Sequence, residues 1–248
     1  MQLSTRLRQN WRGGMASLRF IAGAPIMFSR VAKAPKGGDA TRDPITGHFA
    51  KFLADCKINV IVEGKPPAPG QGCVVCHNET SFVDVAAYFV DIWPSVDRLA
   101  GADLYGYIPF ARRACGQVDI ELVPRGNRKG TEVLLGRMVT AVRQGQRVGW
   151  GGEGRLSGFD GVGHFKVGGS LIAIRAQAPV VPVIIHGGHQ TMPLGTVRSC
   201  PGEVRIRFCD PVPTTGYTEA DARAFADDLQ VLFATHYEEL SQRRPGSH

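Results

Sequence analysis

No stretch of this chain is both apolar enough and long enough to cross a bilayer. The best candidate, LRFIAGAPIMF at 18–28, carries Arg19, is broken by Pro25, and falls far short of the ~20 residues that hydrocarbon requires. A cleaved secretory signal is disfavoured too, because the apolar part is short and runs into SRVAKAPKGG instead of a small-residue cleavage site. Six cysteines (56, 73, 76, 115, 200, 209) are scattered through a chain with ample core, several inside apolar runs, and make no disulfide framework. Reduced, partly buried thiols in a cytoplasmic setting are the expectation. Metal ligands at working spacing are missing as well. Cys73-x-x-Cys76 has no second pair to complete a zinc site, and His186 and His189 stand close together but unsupported. There is no internal repeat and no low-complexity tract.

Acidic residues are scarce in one region only. Residues 1–42 hold eight basic side chains (Arg6, Arg8, Arg12, Arg19, Arg30, Lys33, Lys36, Arg42) against the single acid Asp39. The whole chain has 29 Lys and Arg against 22 Asp and Glu, so the net charge of +7 lies in that segment and the body is neutral. A basic arm suits a polyanion, and the apolar residues between its charges (Trp11, Met15, 18–28) favour an anionic membrane surface over nucleic acid. The competing reading is a packing helix with solvated arginines. At 248 residues, 43% hydrophobic and 21% charged, the chain supports one substantial core with an appendage.

PKGGDATRDPITG at 35–47 reads as a loop and sets the expected boundary between an arm (1–47) and a body (48–248). Within the body, INVIVEG (58–64), CVVC (73–76), GQVDIELV (116–123), RVGWGG (147–152), PVVPVII (179–185) and EVRIRF (203–208) predict strands. Helical spacing predicts helices over 80–93, 130–145, 169–178 and 218–240, with 48–57 weakly helical. Strands alternating with helices imply an α/β fold, a single largely parallel sheet flanked by helices, preceded by a basic amphipathic helical arm.

Within CVVCHNETSFVD (73–84), three chemistries compete. Cys73-x-x-Cys76-His77 has the spacing of covalent haem attachment, which requires an exposed segment, an axial partner and export. These cysteines flank Val74-Val75 in a strand expected to be buried, so they are taken as core residues. Ser81-x-x-Asp84 is a capping box that makes Asp84 structural. Glu79 and Asp84 also have the makings of a carboxylate pair. Downstream, GGEGRLSG follows a predicted strand end, where ligands bind in open α/β sheets. There Glu153, Gly154, Arg155 and Ser157, with Lys166 nearby, form a plausible phosphate cradle. Each taken singly reads as a solvated surface loop, a reading that weakens when they are taken in order.

In order, INVIVEG, CVVCHNETSFVD, GYIPFARRACG with Arg125, GGEGRLSG, FKVGGSLIAIRAQAPVVPVII and CDPVPT resemble the glycerophospholipid acyltransferase family over residues 58–213. Its best-known members are 1-acyl-sn-glycerol-3-phosphate acyltransferases. The resemblance implies acyl transfer from acyl-CoA or acyl carrier protein, as co-substrate and without cofactor or metal, to a lyso-lipid or related hydroxyl or amine acceptor. It implies that Arg125, Glu153, Gly154, Arg155 and Ser157 bind the acceptor head group, while the basic arm is expected to dock on the cytoplasmic face of a membrane. The family's first motif reads Asn-His, four residues, Asp, with His as general base and Asp orienting it. Aligned on Asn78 and Asp84, the base position here is Glu79, and His77 falls two residues early. A carboxylate, with a reference pKa of ~4.3, matches a hydroxyl near pH 7 poorly unless burial or a second carboxylate raises it. Three outcomes stay open: Glu79 is a retuned base, His77 has taken over, or the chain is a lipid-binding or partner protein on the same fold.

Overall fold

The computed structural model describes residues 2–242. Helix α1 (Gln2–Lys33) turns at 34–38 into the antiparallel α2 (Asp39–Cys56), which packs against the C-terminal half of α1. Strand β1 (Ile58–Glu63) is followed by β2 (Cys73–His77), α3 (Phe82–Ala87), β3 (Arg98–Ala102), α4 (Ala111–Gln117) and β4 (Ile120–Val123). Then come α5 (Arg128–Arg143), β5 (Arg147–Gly151), α6 (Gly168–Ala176), β6 (Val180–His186), the single turn α7 (Gly188–Thr191), β7 (Gly202–Phe208) and α8 (Ala222–Gln242).

The seven strands among the described residues form one sheet in the order β1-β7-β6-β2-β5-β3-β4. The five strands from β6 to β4 run parallel, while β7 pairs antiparallel with β6 and carries β1 parallel to itself. The expected α/β architecture is therefore present, with an inverted edge of two strands. The central strands are buried on both faces, which is why β2 and β6 read as unbroken apolar runs and not as alternation. One core lies under α1–α4, built on Phe49, Phe52, Trp93 and Ile92; the other lies under α5, α6 and α8, built on Leu134, Met138, Phe225 and Phe233.

Several sequence expectations change. The loop expected over 35–47 is real only to Gly38, and the boundary placed at residue 47 falls inside α2. Gly and Pro content argued for a loop, but Ile45, Phe49, Phe52 and Leu53 recur at helical spacing and are buried, and that packing outweighs Pro44. Residues 116–119 are not strand; α4 occupies them to Gln117 and β4 starts at Ile120. The helix expected over 80–93 is α for only six residues before it widens into a π turn at Tyr88–Ile92. Strand β3 carried too little alternation to be recognised. Not all eight basic residues of the N-terminal segment face outward. Arg42 lies 4.8 Å over the Trp93 ring and donates to the carbonyls of Trp93 and Val96, at 3.2 and 2.9 Å.

Candidate active site

The C-terminal ends of β2, β5 and β6 lie side by side, and the side chains singled out from the sequence converge there. Asn78, the first residue past β2, is fully buried and bridges to β6: its amide donates to the Ile185 carbonyl at 2.9 Å and its carbonyl accepts from Ile185 N–H at 2.8 Å. Backbone pairing between β2 and β6 stops at His77–Val183. The asparagine continues it by one rung and frees the chain to turn toward the rim.

The turn is closed by Asp84. One carboxylate oxygen, Oδ2, accepts from Thr80 N–H (2.7 Å), the Thr80 hydroxyl (2.6 Å) and Ser81 N–H (3.1 Å), while Ser81 caps α3 by accepting from Val83 N–H. The capping box expected from Ser81-x-x-Asp84 is present. Asp84 Oδ1 is buried without a partner among the described residues and faces Gly188, where a Cβ would lie 1.8 Å away. Only glycine lets α7 close over the carboxyl. Burial pushes the Asp84 carboxyl up to about 6 against its three hydrogen bonds, with the charge of Glu79 adding to the rise.

Glu153 ties the neighbouring loop to the same turn. Its carboxylate accepts from Glu79 N–H at 3.2 Å and from Gly163 N–H at 3.1 Å, and burial raises it to about 7. Ser157 N–H donates to the Glu79 carbonyl and Gly158 N–H to that of Thr80, so residues 153–163 wrap the β2 turn. Gly154 sits at φ +69°, a conformation glycine adopts without strain, and its carbonyl accepts from Arg125 at 2.7 Å. Arg125 also lies 4.0 Å from Asp103. Arg155 and Lys166 are exposed beside them.

The two candidate bases are in contact with each other. His77 Nε2 lies 3.2 Å from Glu79 Oε1; the histidine side chain is 4% exposed and the glutamate 22%. The imidazole packs on Tyr88, with ring centroids 4.4 Å apart. Glu79 adds repulsion to the already buried phenols of Tyr88 and Tyr105, the latter pushed up to about 12. Asp84, its bonding oxygen spent on the turn, has no hydrogen bond to either base. Sequence reading brought together Glu79, His77, Asp84, Arg125 and 153–157, but missed Tyr88, Tyr105 and Gly188. Nothing local marks those three, because each earns its place by contact with a distant strand or turn.

A mostly parallel α/β sheet with carboxylates, an imidazole and arginines gathered at adjacent strand ends defines an enzyme-like site of the acid–base class. Comparison with known proteins narrows that class. The Acyltransferase family profile matches residues 59–186, slightly more than half of the chain, and the chain belongs to that family. Among curated proteins it is 26% identical over 204 residues to a putative 1-acyl-sn-glycerol-3-phosphate acyltransferase, acl-2, of Caenorhabditis elegans, covering 78% of this chain and 70% of that one. It is 27% identical over 175 residues to human 1-acyl-sn-glycerol-3-phosphate acyltransferase alpha, covering 70% of this chain and 61% of the human protein. The chain thus spans less than two thirds of the human relative's length. Among solved structures, the 1-acyl-sn-glycerophosphate acyltransferase PlsC of Thermotoga maritima superposes with a TM-score of 0.72 at 20% identity, over 98% of this chain and 99% of that one. That likeness is one of fold.

Proposed function

We propose that this chain transfers a fatty acyl group from an acyl thioester, carried by coenzyme A or acyl carrier protein, to the hydroxyl or amine of a lyso-lipid-type acceptor. The observation that carries the assignment of roles is the difference in exposure between the paired bases. His77 is buried against Tyr88 at the end of β2, whereas Glu79 is partly exposed at the rim where Arg125 and the 153–163 loop stand. The Glu79 carboxylate takes the acceptor proton as the acceptor oxygen or nitrogen bonds to the thioester carbonyl carbon. When the C–S bond breaks, the leaving thiolate recovers that proton from Glu79. The backbone N–H of Gly154 is the oxyanion donor in this scheme.

Arg125, Arg155, Ser157 and Lys166 receive the acceptor head group, with Arg125 exchanging its bond to the Gly154 carbonyl for a phosphate oxygen. Glu153 and Asp84, both buried and hydrogen-bonded to the turns they hold, act by positioning.

Delivery of substrate falls to α1. At 100° per residue, Leu3, Leu7, Trp11, Leu18 and Ile21 line one exposed stripe, flanked by a row formed by Arg8, Arg12, Arg19 and Arg30. Its opposite face (Ala16, Ala24, Met27, Val31) is buried in the body. Among the described residues no helix is long and apolar enough to cross a membrane. The stripe suits lying in the interface of an anionic bilayer, on its cytoplasmic face, with the arginines at the phosphates.

The test is an acyl-transfer assay with acyl-CoA and acyl carrier protein donors against a panel of lyso-lipids and amines. Glu79→Ala is expected to lower kcat by about 10²–10⁴-fold, the range for loss of a general base. Lipid binding with no turnover in the wild type would assign the chain to the partner-protein reading instead.

A further inference from the structure

His77 has a setting that a chance core histidine does not need. It is the last residue of β2 and stands directly opposite Gly151 of β5, with Val75 opposite Gly149 one pleat earlier. Gly149 and Gly151 share one face of β5. A Cβ at Gly149 would lie 2.3 Å from the Tyr88 hydroxyl, and one at Gly151 would lie 3.6 Å from His77 Nε2 and 3.8 Å from Glu79 Oε2. The two glycines leave a bare lane across β5. Tyr88, His77 and the Glu79 carboxylate lie along it.

The ring's hydrogen bonding favours one tautomer. Nε2 meets Glu79 Oε1 at 3.2 Å, while Nδ1 is buried with no partner among the described residues. A buried lone pair without a donor is tolerated far better than a buried N–H without an acceptor. The hydrogen therefore sits on Nε2, and the imidazole donates it to the carboxylate. Glu79 Oε1 is occupied by this bond; Oε2, on the same rim as the 153–163 loop, is left to act.

On the reading of Glu79 as base, we propose that His77 is its positioning residue, an inversion of the order the family resemblance implies. There the imidazole faces substrate and a carboxylate orients it from behind. Here the carboxylate faces substrate and a buried imidazole orients it. The histidine fixes which glutamate oxygen receives the acceptor proton, and Tyr88 with the glycine lane of β5 fixes the histidine. Asp84, committed to the α3 cap, is released from any role in orienting the base.

Two measurements on the full chain test this, one of them independent of turnover. Nitrogen-15 NMR of histidine-labelled protein, with the His77 signals identified by their loss in His77→Gln, should show a pyrrole-type Nε2 and a pyridine-type Nδ1. A protonated Nδ1 overturns the proposal whatever the enzyme does. In acyl transfer from palmitoyl-CoA to 1-acyl-sn-glycerol-3-phosphate, His77→Phe keeps a flat ring against Tyr88 but has no donor. It should lower kcat by about 10–100-fold with KM changed less than about 2-fold, the signature of a misplaced catalytic group. His77→Gln, which restores an N–H at similar reach, should recover most of that loss. Unchanged kcat in His77→Phe, or equal losses in Phe and Gln, overturns the positioning role. Absence of turnover in the wild type would count against acyl transfer itself and leave the tautomer measurement to decide the dyad.

Discussion

The strand-end rim and the outer face of α1 handle their surfaces in opposite ways. At the rim, the buried polar side chains bond to one another or to the backbone: Asn78 to Ile185, Asp84 to Thr80 and Ser81, Glu153 to Glu79 and Gly163, His77 to Glu79; Asp84 Oδ1, His77 Nδ1 and the Tyr88 hydroxyl are left without a partner among the described residues. Along α1, large apolar side chains (Leu3, Leu7, Trp11, Leu18, Ile21) stand in solvent with nothing over them among the described residues. These bonds pin the β2 turn, which suits the proposed role of a site that places one carboxylate oxygen. The helix face is left unsatisfied, and a contiguous exposed apolar stripe of that kind marks a docking surface.

Three variants break or sharpen this contrast, beyond those at Glu79 and His77. The largest effect on stability is expected at Asn78→Ala. It removes two buried hydrogen bonds and strands the N–H and carbonyl of Ile185, for a loss of about 3 kcal/mol in denaturant unfolding. A loss below about 1 kcal/mol would mean the rim is less rigid than its bonding implies.

Next is Asp84→Asn, read through pH. The folded Asp84 carboxyl is raised to about 6 from an ordinary 3.8, so the native state binds this proton more tightly than the unfolded chain. Its contribution to stability is complete below about pH 4 and is lost as pH rises through about 6. Relative to Asp84→Asn, the wild type should therefore lose about 2–3 kcal/mol between pH 3.5 and 7. Parallel pH–stability curves would show that burial of this carboxyl carries no such penalty.

The smallest change in stability belongs to the outer face of α1. Leu7→Ser with Trp11→Ser should alter unfolding by no more than about 0.5 kcal/mol, as for exposed sites, yet lower partitioning onto anionic vesicles about tenfold or more. Unaltered vesicle binding would make α1 a packing element on both faces.

Much of the rim was legible in the sequence, because its residues are near neighbours. The Ser81–Asp84 cap follows from spacing within a single turn, and the Glu153–Ser157 loop from glycines after an apolar strand. The opening of α2 was misread because glycine and proline report local preference, whereas burial of Ile45 and Phe49 depends on α1 and the sheet. The roles of Gly149, Gly151 and Gly188 were illegible. A glycine in a sequence says only that room is wanted, not which distant side chain fills it.

The sequence by itself determined the alternation of strands and helices, the basic apolar N-terminal segment, and the presence of a carboxylate where the family resemblance leads one to expect imidazole. These are properties of short windows, fixed by periodicity and residue type. Only the tertiary structure decided which of His77 and Glu79 faces outward. His77 ends β2 and Glu79 lies two residues on; their burial is set by β5, distant in the chain, and by the nearer Tyr88 turn. Residues so close in sequence acquire opposite roles because the pleat and the turn send one side chain into the sheet's face and the other onto its rim.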